Sequence, residues 1–158
     1  QWPGLHGLIV GAPEAHDPRT GAELQALADA LGLGGRVRFT GYRPDIPQVL
    51  PAMNVLVHAA VEPEPFGRVI IEGLAARVPV VAARGGAVPE IITDGTDGLL
   101  VAPGDPAALA RAIDRLLTDR ALAARLVAAG RRRVESFFTA QGTARAVEAV
   151  YEEVLCGK

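Results

Sequence analysis

Short apolar runs recur along this chain, and each is followed by a stretch with helical spacing. The runs are "HGLIV" at 6–10, "RVRFTG" at 36–41, "NVLVHAA" at 54–60, "VPVVAA" at 78–83 and "GLLVAP" at 98–103. Their apolarity is continuous rather than alternating, the pattern of strands covered on both faces. Between them, "TGAELQALADALGL" sets Leu24, Leu27, Ala28 and Leu31 on one helical face. "RVIIEGLAAR" reads as another helix. Asp105-Pro106 supplies a helix cap followed by Pro at the first helical position. The helix expected from Ala107 to Leu117 buries Leu109, Ile113, Leu116 and Leu117. Pro47 and Pro51 leave room for only a short helix in "PDIPQVLPAM". "GGAVPEIITDGTDG" has space for one helical turn. Two more helices are expected near 120–135 and 140–155, making 120–158 a C-terminal helical segment. "RRR" at 131–133 reads as a solvated helix end, where cations suit the dipole. Strands alternating with helices imply a parallel sheet covered by helices, in one α/β domain over 1–158.

Composition narrows the function. The chain has 158 residues, 49% hydrophobic and 22% charged, with a formal net charge of −2. That is enough for a sizeable core, and too little positive charge for a nucleic-acid surface. The single cysteine, Cys156, excludes an internal disulfide and a cysteine zinc set. An intracellular context is expected. No apolar stretch reaches the roughly 18 residues of a membrane span, and no signal peptide is read. The opening "QWPGLHGLIVG" enters a strand at once, as a piece of a longer chain would.

Ligands of an open parallel sheet bind beyond the carboxyl ends of its strands. Loops beginning at Gly11, Gly41, Ala59 and Ala83 leave that edge, each carries glycine, and they are expected to converge. The third holds "EPEPFGRVIIEG", with Glu64 and Glu72 separated by seven residues. If a helix begins at Gly67, the free amides of Phe66, Gly67, Arg68 and Val69 face the site and favour an anion, phosphate above all. Acids beside such an anion site accept hydrogen bonds from neutral hydroxyls instead. A nucleotide sugar, with a diphosphate between two hydroxyl-rich rings, satisfies this layout. Two glutamates near a helix start can also simply favour its dipole, so spacing alone leaves both readings open.

The stretch "EPFGRVIIEGLAARVPVVAARGGAVPEIITDGTDGLLVAPGDPAALARAI" resembles the donor-binding half of retaining glycosyltransferases of group 1 (family 4, GT-B fold). It carries Glu, seven residues and Glu, then a Pro-Val-Val strand, a Gly-Gly turn with Glu, and a Gly-Leu-Leu-Val run leading to Pro-Gly-Asp. With "LIVG", "RVRFTGY" and "MNVLVHAA", the resemblance spans residues 5 to 118. It implies a Rossmann-like three-layer α/β/α domain, one half of a GT-B fold. It also implies that Glu64, as the catalytic residue, holds hydroxyls of the transferred sugar, and that Glu72 holds the ribose. Phe66, Gly67 and Arg68 would line the sugar and diphosphate, and Tyr42 and Arg43 would flank the base. Gly85, Gly86 and Glu90 would shape the neighbouring wall, though Glu90 could equally cap a helix. An N-terminal acceptor-binding domain and the first strand of the donor domain, with its Arg and Lys, are expected to lie outside this chain.

The implied activity is transfer of a sugar from a nucleotide-diphosphate donor to an acceptor hydroxyl with retention, in polysaccharide or glycoconjugate biosynthesis. No DxD sequence is present, so neither a metal nor a cofactor is expected. The chain alone is expected to bind the donor weakly and to transfer nothing. A cytoplasmic setting is implied, with peripheral attachment at the inner membrane face open for the full-length enzyme. Some positions depart from the family pattern. Ala60 stands where Ser is usual, and Arg77 where a small Gly ends the helix. Glu62 is at the wrong spacing to replace Glu64, and His58 reads as a strand-end core residue. The alternatives are a non-catalytic nucleotide-sugar module of the same fold, and another GT-B enzyme such as a nucleotide-sugar epimerase.

Overall fold

A computed structural model describes residues 2–12 and 19–157, which divide into two compact units, Gln1–Ile46 and Pro47–Lys158. In the first, β1 (Gly7–Ile9) runs parallel to β2 (Val37–Phe39), joined through α1 (Arg19–Ala30). The register pairs Gly7 with Val37 and Ile9 with Phe39. Just beyond, the Gly11 amide donates to the Gly41 carbonyl at 3.0 Å, where Gly41 takes a φ of 67°. The loop expected after Gly11 falls at 13–18, outside the described residues. Of the expected face of α1, Ala28 is buried, but Leu24, Leu27 and Leu31 are 41%, 53% and 62% exposed. In β1 Gly7 and Ile9 are exposed and Leu8 half-buried, and in β2 Val37 and Phe39 are half-buried. Two strands of three residues cannot cover a helix face, which corrects, for β1 and β2, the expectation of strands buried on both sides.

In the second unit a short helix, α2 (Ile46–Val49), leads through a 3-10 turn at Leu50–Ala52 to β3 (Leu56–His58). Then follow α3 (Arg68–Ala75), β4 (Val80–Ala83), α4 (Val88–Ile91) and β5 (Leu99–Val101). Three longer helices finish the chain: α5 (Pro106–Thr118), α6 (Arg120–Phe137) and α7 (Ala140–Cys156). β3, β4 and β5 form a parallel sheet in that order, pairing His58 with Ala82 and Ala83 with Val101. The strands are thus shared between two parallel sheets. Apolar patterning identifies strands but does not say which pair, since register is a backbone property.

β4 is the central strand and every residue of it is buried. Its side chains alternate between two cores. Val80 and Ala82 join Ile70, Leu74, Val88, Ile91, Ile92 and Val134 on the side of α3 and α4. Val81 joins Leu99, Leu116, Leu122 and Leu126 on the side of α5 and the start of α6. The result is three layers, helix on sheet on helix. Fully burying one such Val, Leu or Ile contributes about 1.5–3 kcal/mol. Leu116 is buried as expected, whereas Leu109, Ile113 and Leu117 are half-buried. The Asp105 carboxylate accepts from the Ala108 amide at 2.8 Å, and Pro106 opens α5, as the sequence predicts.

The "RRR" segment departs from expectation. α6 continues to Phe137, so the arginines lie inside it. Arg132 is exposed, but Arg131 donates from Nη1 to the carbonyl of Ala75 at 2.6 Å, and Arg133 from Nη2 to that of Glu90 at 2.7 Å. Cations do meet helix C-termini here, but those of α3 and α4 rather than of their own helix.

Candidate functional site

Because β3, β4 and β5 are parallel, the loops after His58, Ala83 and Val101 leave one edge of their sheet. Glu64 lies in the first of these loops, ahead of α3. Gly67 caps α3 in the left-handed region, at φ 80°, and a Cβ there would meet Ile91 Cδ1 at 2.6 Å. Glycine has no side chain with which to cap, and Glu64 fills that role. Its Oε1 accepts from the amides of Phe66 at 3.1 Å and Gly67 at 2.7 Å. Its Oε2 lies 3.1 Å from Nε2 of His58. The amide of Gly67 above all, then that of Phe66 and the His58 ring, hold the Glu64 carboxyl below the usual glutamate range. It is therefore an anion and an acceptor only.

That arrangement corrects one expectation. Of the four amides expected to be free at the start of α3, those of Phe66 and Gly67 are taken by Glu64. The amides of Arg68 and Val69 have no acceptor among the described residues. Half of the amides expected to be free at this end of the helix are taken by the protein's own carboxylate.

The Gly-Gly turn locks onto the same loop. The Ala87 amide donates to the Glu64 carbonyl at 2.8 Å, and Gly86 sits at φ 55°. A Cβ on Gly86 would fall 2.8 Å from Glu64 N, 2.9 Å from its carbonyl carbon, and nearer still to its oxygen. Gly85 faces the backbone of Pro63. Only glycine permits this approach. Glu64, Phe66, Gly67, Gly85 and Gly86 are therefore brought together.

Glu72 stands one helical turn beyond Arg68, and the two side chains pair at 3.3 Å. Arg68 is 81% exposed, so the pair is a weak surface contact. Glu90 is exposed on α4, and its carbonyl, not its carboxylate, makes a contact, to Arg133. α4 has no side-chain cap, so Glu90 does not act as one. Tyr42 and Arg43 follow β2 in the first unit. Tyr42 is 79% exposed. Arg43 is held by Asp45, with Nε on Oδ1 at 2.9 Å and Nη2 on Oδ2, which keeps the Asp45 carboxyl below its ordinary range.

His58 is the residue that sequence reasoning underrated. It is buried at the end of β3, as expected, yet it also bonds Glu64. Its distance of six residues from Glu64 fits no motif, and only the loop's return over the strand end joins them. Beside the site, Ala59, Val61, Ala83, Val101, Gly104 and Leu109 line an apolar cavity of about 180 Å³, which neither glutamate enters.

Residues 3–133 match the family model described as glycosyl transferases group 1. The chain is 34% identical over 156 residues to the lipopolysaccharide core biosynthesis glycosyltransferase LpsE of Rhizobium meliloti, covering 99% of this chain and 43% of that protein. It is 35% identical to the D-inositol 3-phosphate glycosyltransferase of Corynebacterium kroppenstedtii, covering 96% of this chain and 34% of that protein. The chain thus spans less than half the length of these curated relatives. Among solved structures, Anabaena Alr3699/HepE in complex with UDP-glucose superposes with a TM-score of 0.88 at 31% identity, over 95% of this chain and 42% of that one. The C-terminal domain of a group 1 glycosyl transferase (LpcC) from Francisella tularensis gives 0.80 at 27% identity, over 89% and 73%. With the family match covering most of the chain, and neighbours of the GT-B type agreeing in fold, the chain belongs to the group 1 glycosyltransferases.

Proposed function

We propose that this chain binds a nucleotide-diphosphate sugar and supplies the donor half of a retaining glycosyltransferase. The observation that carries the reading is the Glu64 carboxylate, fixed as an anion beside Gly86, with the amides of Arg68 and Val69 left open next to it. Open amides suit a diphosphate oxygen, and a fixed acceptor suits sugar hydroxyls. The UDP-glucose complex of the Anabaena neighbour supports this ligand class. Glu64 contacts the transferred sugar and Glu72, released from Arg68, the ribose. Phe66, Gly67 and Arg68 line the sugar and diphosphate, and Gly85, Gly86 and Glu90 the adjoining wall.

In the transfer, the bond from the anomeric carbon to the diphosphate oxygen breaks with its electrons going to the diphosphate. The acceptor oxygen bonds the same carbon on the same face, and its proton passes to the departing diphosphate. The chain's part is to hold the donor and stabilise the leaving charge. The acceptor is held by a further domain, in keeping with the greater length of the relatives. No metal is required in this reading, since no DxD sequence is present.

Calorimetry of the full-length enzyme with UDP-, GDP- and ADP-sugars and their sugar-free diphosphates tests the assignment. Glu72→Ala is expected to weaken all nucleotides by about 1.5–3 kcal/mol, the range for hydrogen bonds to a charged group. Unchanged affinity in a folded variant removes Glu72 from the site.

A further inference from the structure

We propose that His58 is a positioning residue for donor recognition: as a neutral imidazole it donates from Nε2 to Glu64 and fixes that carboxylate for sugar hydroxyls. The inference rests on the donor-binding reading of Glu64 and adds a residue to it. His58 is 8% exposed, at the last position of β3. Its Nε2 lies 3.1 Å from Glu64 Oε2, and its Nδ1 is buried with no hydrogen-bond partner among the described residues.

These two facts decide the tautomer. An ionised Glu64 oxygen only accepts, so Nε2 carries the proton. An imidazolium would add a second N–H at Nδ1, with no acceptor, inside the protein. A buried N–H without a partner is costly. A bare Nδ1 lone pair is the smaller burden. His58 is therefore the neutral Nε2–H form.

The bond matters because of how little else holds Oε2. The amides of Phe66 and Gly67 bind Oε1 alone, so the carboxylate could still turn about that oxygen. His58 fixes the second oxygen and so the plane of the group. The Glu64 side chain remains 24% exposed, which leaves outward acceptor sites for a ligand. A carboxylate locked in one plane meets hydroxyls at a defined angle, and ordering it beforehand lowers the cost of binding. Ala82, paired with His58 across the sheet, offers no side-chain donor or acceptor that could compete.

Two measurements test this. Long-range nitrogen–proton NMR of the imidazole in the unsubstituted chain at neutral pH should give a protonated Nε2 and a bare Nδ1. A protonated Nδ1, alone or with Nε2, overturns the proposal whether or not any ligand binds. Amide-shift titrations, which read weak affinities, then compare UDP-, GDP- and ADP-glucose with the matching diphosphates. His58→Leu should lose about tenfold on the sugar-bearing ligand while the diphosphate stays within about twofold, as for one charge-assisted hydrogen bond. His58→Gln, whose side-chain amide can still donate to Glu64, should recover most of the loss. An unchanged ratio of sugar-bearing to sugar-free affinity in the Leu variant overturns the positioning role. Should Leu fail to fold, the tautomer and the Gln variant still decide it. If the unsubstituted chain binds none of these ligands, the donor reading itself fails, an outcome distinct from a wrong tautomer.

Discussion

Arg77 ends α3 at a φ of 61°, the only non-glycine residue with positive φ among those described. The turn has the paired bonds of a Schellman ending: the Val78 amide reaches the Gly73 carbonyl at 3.0 Å, and the Arg77 amide that of Leu74 at 3.2 Å. An L side chain is strained there, and Arg77 is exposed with no partner among the described residues that would offset the strain. Arg77→Gly is therefore expected to stabilise the chain by about 1 kcal/mol, read as a higher urea midpoint with an unchanged slope. A lower midpoint would mean that the lost side chain matters more than the strain. The glycine that the family pattern places here has a backbone reason. Glu64 has the opposite character, a side chain whose charge is stabilised by the fold. Its lowered pKa means that its contribution is full above the ordinary glutamate range and is lost as pH falls through the folded value.

At the scale of elements, α6 is the strap of the second unit. Arg131 holds the end of α3 and Arg133 the end of α4. Gly130 lets α6 approach closely: a Cβ there would meet Leu74 Cδ2 at 2.6 Å and the Asp97 carbonyl oxygen at 3.1 Å. Asp97 itself is 4% exposed and accepts from the Thr93 amide at 2.7 Å. Arg133 Nε lies 3.8 Å away, too far for a hydrogen bond, so burial outweighs the Arg133 charge and raises the Asp97 carboxyl. A raised folded value means that ionised Asp97 costs stability at neutral pH. The protonated form regains it as pH falls through that value towards the unfolded one. Asp97→Asn keeps an acceptor for Thr93 and removes the buried charge, so its stability is expected within about 1 kcal/mol of the parent. Asp97→Ala loses the acceptor and should cost about 1–3 kcal/mol. Chemical denaturation near pH 7 checks both. Equal losses in the two variants would mean that the charge facing Arg133 is what stabilises.

For the whole molecule, the proposed function separates binding from turnover. Orienting an acceptor against the donor in a water-poor cleft can supply several kcal/mol of a transfer barrier. The chain spans 43% of the Rhizobium relative and 34% of the Corynebacterium one. The 158-residue chain is expected to bind nucleotide sugars at about millimolar affinity or weaker, since exposed helix-end contacts contribute on the order of 1 kcal/mol or less each. It is expected to release no nucleoside diphosphate when given a panel of donors and acceptors. Release well above background, abolished by Glu64→Ala, would show a complete catalytic site in these residues.

The class of fold and the family were legible in the sequence because both depend on local signals. Continuous apolar runs mark strands, Asp105-Pro106 marks the start of α5, and the Glu64–Glu72 spacing with Gly85-Gly86 marks a family-specific loop. Three features were decided only in three dimensions. The sharing of strands between two sheets depends on backbone pairing, to which apolarity is blind. Arg131 and Arg133 looked like a solvated helix end because carbonyls distant in the chain leave no trace beside them. Glu64 turned back to take the amides of Phe66 and Gly67, with His58 on its other oxygen, because a left-handed glycine cap cannot supply its own acceptor. Sequence thus determined the fold class and the candidate residues of the loop; the tertiary fold decided which of their hydrogen-bonding atoms remain open, since most polar atoms of a packed loop are paired within the protein.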